Sequence, residues 1–238
     1  MRSLEETLSA VRVITRKKIK EAADIHPEAK AALDAWYRIT KKATWKNLAD
    51  IRRTLASADV FQRCTIFNIK GNKYRLMAWV NYQTQKVFIR SVLTHAVTRR
   101  NGGKVTALAA KNPDYAELLA QTLPSVIHSE KENEHFIKIL EELERRSAKW
   151  TQAEEKLAEL LTLLIEEFEE KNYQLNGATP IEVLRELMAA NDLNQKDLVG
   201  VFGAESTVSS VLKGKRNLTR DHIKRLSERF HVSPEVFF

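Results

Sequence analysis

The chain has 238 residues, 43% of them hydrophobic, with 39 Lys+Arg against 31 Asp+Glu for a net charge of +8. That length suits one large domain or two ordinary ones, and seven Gly with five Pro argue against low-complexity disorder. The single cysteine, Cys64, excludes an internal disulfide and a Cys-based zinc site. No apolar run approaches the roughly 18 residues of a membrane span, and MRSLEETLSAVRV places acids where a signal peptide needs a basic start and an apolar centre, so a cytoplasmic protein with no membrane partner is expected.

The charge is unevenly spread. Residues 1–104 carry 22 basic and 8 acidic side chains, residues 105–172 carry 8 and 15, and residues 173–238 carry 9 and 8. A strongly basic block beside an acidic one suggests mutual neutralisation or a block aimed at nucleic acid; two unrelated solvated surfaces are the plain alternative.

In chain order, residues 15–25 place Ile19, Ala22 and Ala23 near helical spacing. PEAKAALDAWYRITKK then opens on Pro27 with a broad apolar face through Leu33, Ala35, Trp36, Tyr37 and Ile39, and residues 45–55 read as a third short helix. The period then switches to two. CTIFNI (64–69), KYRLMAWVN (73–81) and KVFIRSVLT (86–94) are β-branched and aromatic, with turns at Lys70-Gly71 and Gln83-Thr84. With two-residue loops, Ile69 pairs with Asn72 and Tyr82 with Gln85. One sheet face then holds Phe67, Ile69, Tyr74, Leu76, Ala78, Val80, Val87, Ile89 and Leu93 against the helices, and the other holds Lys73, Arg75, Met77, Trp79, Phe88, Arg90 and Thr94. Arg90 would sit opposite Met77 and diagonal to Arg75, about 7–8 Å away. Two neighbouring guanidinium groups repel unless an anion lies between them, and RNA phosphate fits; simple solvation of both is the alternative. His95 follows the strand and is either structural or a proton carrier near neutral pH.

WKNLADIR, FNIKGNKYRL and IRSVLTHA carry a resemblance to the HigB-type toxins of bacterial toxin–antitoxin operons, over about residues 12–96. The resemblance implies a RelE-like α+β fold, with helices on an antiparallel sheet, and a metal-independent, cofactor-free endoribonuclease that cuts mRNA on the ribosome. A ribose 2′-hydroxyl would attack the adjacent phosphate, with Arg75 and Arg90 stabilising charge and Lys73 and His95 moving protons. This chain departs from the family after Thr94-His95, where Ala96-Val97-Thr98-Arg99 replaces a pattern containing Glu, Tyr and Asp. An aromatic stacking group and an acid/base group are thereby lost, and an impaired enzyme is expected.

A codon run that reads Lys-Glu-Arg-Trp-Lys in one frame can read Arg-Asn-Gly-Gly-Lys, the residues at 100–104, in the next. A small deletion that shifted the frame and read through into the next gene would therefore explain the join; a deliberate Gly-Gly linker is the alternative. Beyond it the chain is helical in pattern. Ser129-x-x-Glu132, Thr151-x-x-Glu154 and Thr179-Pro-x-Glu182 fit capping boxes, and helices are expected at 114–121, 131–146 and 152–170. The last is amphipathic through Leu157, Leu160, Leu161, Leu164, Ile165 and Phe168, with Glu on its other side.

From residue 180 the pattern reads as helices at 180–190, 195–201, 206–212 and 220–230, broken at Gly203 and Gly214, with a last turn at Ser233-Pro234. Two short helices across a glycine turn match helix-turn-helix geometry. Ser206, Thr207, Ser209, Ser210 and Lys213 suit base edges in the major groove, and Gln195, Lys196, Lys215 and Arg216 suit phosphates. NQKDLVGVFG…STVSSVLKGKRNLT resembles the lambda-repressor/Cro-like family, and the region from about residue 106 resembles HigA antitoxins.

The expected organisation is an N-terminal extension (1–11), a toxin-like domain (12–97), a joint (98–106), an acidic helical antitoxin region (107–172) and an all-α DNA-binding domain (173–238). The expected protein represses its own operon as a homodimer on operator DNA and holds its toxin part by self-association. An active ribosome-dependent ribonuclease and a plain transcription regulator are the alternatives.

Overall fold

The computed structural model describes residues 10–61, 63–94, 114–146, 150–175 and 177–238. They fall into two compact units, one formed by the sheet and its helices together with residues 175–238, the other lying within 99–174. The joint expected at 98–106 and the extension before residue 10 lie outside the described residues.

The first unit is built on a five-stranded sheet in the order β1-β5-β4-β3-β2, from β1 (Arg12–Ile14), β2 (Asp59–Phe61), β3 (Cys64–Ile69), β4 (Tyr74–Asn81) and β5 (Lys86–Thr94). The three long strands are those the alternation predicts. The two edge strands are only three residues each, too short for a period-two pattern to register. β1 runs parallel to β5 while every other pair is antiparallel, so the sheet is mixed and not antiparallel throughout.

The strand register differs from expectation in two places. Ile69 pairs with Tyr74, not Asn72, because Lys70, Gly71 and Asn72 are successively left-handed and widen the turn to four residues. Lys73 therefore lies in the turn. Between β4 and β5 the expected alignment holds from Asn81↔Lys86 to Ala78↔Ile89; beyond that a bulge at Met77/Ala78 makes Met77 face Ser91 and leaves Arg90 as the extra residue. A bulge shifts every later side chain by one. Val92 thus stands opposite Leu76, where the expected register places Ser91, while Leu93, expected opposite Tyr74, pairs with Arg75 on the opposite face.

Helices α1 (Lys17–Ile25), α2 (Lys30–Lys41) and α3 (Leu48–Thr54) cover the face of Phe67, Ile69, Leu76, Ala78, Val87 and Ile89, all essentially buried. Trp36 meets Phe67 edge-on at 5.2 Å and Trp45 stacks on it at 6.1 Å, a placement worth roughly 0.5–1.5 kcal/mol per ring pair beyond its buried area. Asn47 starts α3 by accepting the Asp50 N–H, which places the start inside the expected 45–55 span.

Residues 175–238 do not stand apart from this core. They form α7 (Pro180–Ala190), a short turn of helix at Gln195–Leu198 running into α8 (Val199–Phe202), α9 (Glu205–Leu212), α10 (Arg220–Phe230) and a last turn at Pro234–Phe237. Val183, Leu184 and Leu187 of α7, with Val208, Val211, Leu226 and Phe237, continue the same apolar cluster as Leu33, Trp36 and Phe67. The Thr179 and Glu182 capping box forms as expected, and a second one joins Thr219 to His222.

The second unit is three helices, α4 (Tyr115–Thr122), α5 (Glu130–Arg146) and α6 (Gln152–Asn172). Capping boxes at Asp114/Glu117 and Thr151/Glu154 begin α4 and α6, and Ser129 and Glu132 exchange backbone bonds at the start of α5. Leu157, Leu161 and Ile165 are buried with Phe136, Ile137 and Leu140. Leu160, Leu164 and Phe168, expected on the same broad face, are half-buried, since the helix turns its Leu157–Leu161–Ile165 stripe inward.

Candidate toxin face and candidate nucleic-acid interface

The sheet face away from the helices carries Asn68, Arg75 and Leu93 in one paired row and Ile66, Met77 and Ser91 in the next. Arg75 and Arg90 are half-buried and Lys73 is exposed. Both arginines are engaged by other groups of the chain. The bulge places Arg90 beside Ser91 instead of squarely opposite Met77. The same face is not simply polar: Phe88 is fully buried and lies 5.2 Å from Trp79. Of the four residues expected to handle RNA, Lys73 is thus brought to the hairpin turn, Arg75 and Arg90 share the strand pair, and His95 lies outside the described residues. No cluster of His, Cys, Asp or Glu among the described residues could hold a metal ion.

A partly buried polar cluster at the β3–β4 turn is not legible from motif spacing. Tyr74 donates its hydroxyl to the Glu28 carboxylate, which lowers the Glu28 pKa and raises that of Tyr74. Lys70 donates its Nζ to the Glu28 carbonyl at 2.7 Å, and its backbone N–H lies 3.3 Å from both oxygens of Glu186. Glu186 is almost wholly buried, and desolvation pushes its pKa up to about 8 against a smaller lowering by the Lys70 N–H. Its signal was an acid standing among Val183, Leu184, Leu187 and Met188, the apolar positions of α7.

In the C-terminal helices, Gly203 (φ +84°) turns the chain between α8 and α9. Val208 and Val211 anchor α9 in the core. At 100° per residue the opposite side presents Ser206, Ser209, Ser210 and Lys213, with Thr207 at the margin. Ser206 and Lys213 are exposed, and Thr207, Ser209 and Ser210 half-buried. Ser210 turns its hydroxyl back to the Ser206 carbonyl at 2.8 Å. Lys196, Lys215 and Arg216 are exposed and Gln195 is half-buried. Arg185 donates to the Leu212 carbonyl at the end of α9, which ties that helix to α7. His222 has its pKa lowered by burial, with Arg216 acting in the same direction; its Nδ1 accepts the Thr219 N–H at 3.3 Å.

A small helix-backed sheet, a bundle of helices rich in acids and a set of short C-terminal helices are thus carried in one chain. Residues 29–97 match the family described as HigB_toxin, RelE-like toxic component of a toxin-antitoxin system. Over 102 residues the chain is 33% identical to the mRNA interferase toxin HigB of Escherichia coli (strain K12), covering 39% of this chain and 98% of that protein. It is 23% identical over 87 residues to an mRNA interferase HigB of Escherichia coli O6:H1, covering 84% of it. The chain belongs to the HigB toxin family. It also carries a stretch of 57 residues that is 47% identical to Antitoxin HigA of Escherichia coli (strain K12), spanning 24% of this chain and 41% of that antitoxin. Toxin and antitoxin similarities thus lie in one chain, as a HigB–HigA fusion. No helix among the described residues is long and apolar enough to cross a membrane.

Proposed function

We propose that this fusion is a DNA-binding repressor of its own operon, acting as a homodimer in the cytoplasm, whose mRNA-interferase part is held restrained by its antitoxin part. The observation that carries the reading is α9: Val208 and Val211 fix it in the core, while small hydroxyl side chains and Lys213 face outward. That is the chemistry of a recognition helix, in which side chains short enough to approach base edges are flanked by phosphate-binding Lys196, Lys215 and Arg216. The net charge of only +1 over residues 173–238 makes non-specific binding weak and salt-sensitive, so a two-fold operator read by two copies supplies the affinity.

Restraint of the toxin part is supported by charge. The surplus of acids in 105–172 opposes the +14 of residues 1–104. Footprinting the full chain on its own promoter tests repression. A protected palindrome is expected, and none would end the proposal. An active ribonuclease, the second reading, rests on Arg75 and Arg90 sharing one strand pair. It predicts growth arrest and ribosome-dependent mRNA cleavage on expression of the full chain, abolished by Arg75→Ala.

A further inference from the structure

A cavity of about 500 Å³ opens where the end of α2 and the start of α3 meet the turn after α10. Its walls come from residues 39–54 and 231–233, all within the sheet-containing unit. Three fixed positive charges, Lys42, Lys46 and Arg53, line it against one fixed negative charge, Asp50. Ile39, Ala43, Trp45 and Val232 supply apolar lining. Both walls are fixed by bonds to the backbone. Gln85, itself buried, donates its Nε2 to the Trp45 carbonyl at 2.8 Å and accepts the Trp45 N–H at 3.1 Å. Thr54 donates its hydroxyl to the His231 carbonyl at 3.2 Å, across 177 residues of sequence. His231 ends α10 in the left-handed region, φ +52°, which glycine or asparagine adopts most readily, and its exposed side chain lines the cavity.

The chain does not use up these cations. Asp50 accepts the Lys46 backbone N–H at 2.9 Å on one oxygen and Arg53 Nη1 at 3.1 Å on the other. Arg53 keeps its remaining guanidinium donors. The Lys46 ammonium has no bonding partner among the described residues. Lys42 pairs with Glu235, which does not line the cavity, and an ammonium has two further donors to give. Trp45, Lys46 and Asp50 belong to the WKNLADIR run, which neither the RNA chemistry of the sheet nor the DNA contacts of α9 employ.

We propose that this cavity binds a small phosphorylated molecule of nucleotide size, with its phosphoryl oxygens on Lys46, Arg53 and Lys42 and its body against the apolar lining. The volume falls within the range of small-molecule sites, roughly 300–1,000 Å³. One arginine and two lysines converging on a concave surface focus a positive field and suit a multiply charged oxyanion. Asp50 and Glu235, paired with two of these cations, disfavour the repeated charges of a nucleic-acid strand and commit the site to a compact ligand. Such a ligand touches residues 39–54 and 231–233 at once, so its binding stabilises the fold they share. The inference goes beyond the operator-binding reading and does not depend on it.

The test titrates inorganic pyrophosphate and ATP into the full chain by isothermal calorimetry at physiological salt and follows the melting temperature in parallel. Saturable binding is expected, tighter for ATP than for pyrophosphate, with a melting temperature that rises with ligand concentration. Lys46→Ala and Arg53→Ala should each weaken binding by roughly 10- to 100-fold, with circular dichroism unchanged. Lys20→Ala removes the same charge from an exposed position on α1 outside the cavity and should change binding by less than about threefold. Absence of saturable binding would overturn the proposal, as would parental affinity in both cavity variants or an equal loss in Lys20→Ala. So would displacement of ATP by single-stranded oligonucleotides with a strength that climbs with their length, which would assign the surface to nucleic acid instead.

Discussion

Replacing Glu186 by Gln isolates the buried acid. Its carboxyl lies against the Lys70 N–H with a pKa near 8, against an ordinary 4.5. The folded-state value is raised, so the folded chain holds this proton more tightly than the unfolded chain does. The associated stability is complete below the unfolded value and is lost as pH rises from about 4.5 through 8. At 1.36 kcal/mol for each unit of separation, the parent should lose on the order of 3–4 kcal/mol between pH 5 and pH 8 from this group. Gln keeps the shape and the acceptor for Lys70 but cannot ionise. Glu186→Gln should therefore be nearly neutral at pH 5 and clearly stabilising at pH 8, where the melting temperature of the sheet-containing unit should rise by roughly 10 °C. Thermal unfolding of parent and variant at both pH values measures this. Glu28, Glu182 and Arg185 line the same cavity, and His26 lies 3.9 Å from Glu28. Their titration is common to both proteins and cancels in the difference. A variant with the parent's own pH dependence, or one less stable at pH 8, would refute the reasoning.

His222 has the opposite sign. Its lowered pKa means that folding disfavours the protonated ring, so stability should fall as pH drops below the ordinary value of about 6.5. His222→Gln should flatten that acid limb in the unfolding of α10 followed by circular dichroism. Gly203→Ala forces a side chain onto φ +84° and should cost about 1 kcal/mol or more in urea unfolding, with a proportionate loss of operator binding. Ser209→Ala should weaken operator binding by about 1–3 kcal/mol if it meets a base. Lys215→Ala should weaken binding to every sequence and lower the salt slope by about one; a gel-shift salt series separates the two, and unchanged affinity in both would remove α9 from the groove.

Sequence alone determined the local structure wherever a period or a cap is encoded. The three long strands alternate, α2 and α7 carry apolar stripes, and the boxes at Thr151 and Thr179 start helices at the residues they name. These features need only near neighbours. The resemblance of residues 12–96 to HigB toxins was legible for the same reason, since it lies in contiguous runs. Three residues of edge strand were not, because β1 and β2 exist only through pairing with β5 and β3. Nor was the bulge at Arg90, which depends on how two strands twist together and which moves Leu93 to the far face. The largest difference lies between chain order and space. Composition divides the chain at its acidic middle, yet residues 175–238 share a core with the sheet. Gly177 beside the Asp34 carboxylate, Asn191 between the Thr54 carbonyl and the Ala56 N–H, and Glu186 have meaning only at that contact. A buried carboxyl, a glycine against a carboxylate and an amide bridging two backbones are defined by what approaches them from far along the chain, and only tertiary packing supplies that approach.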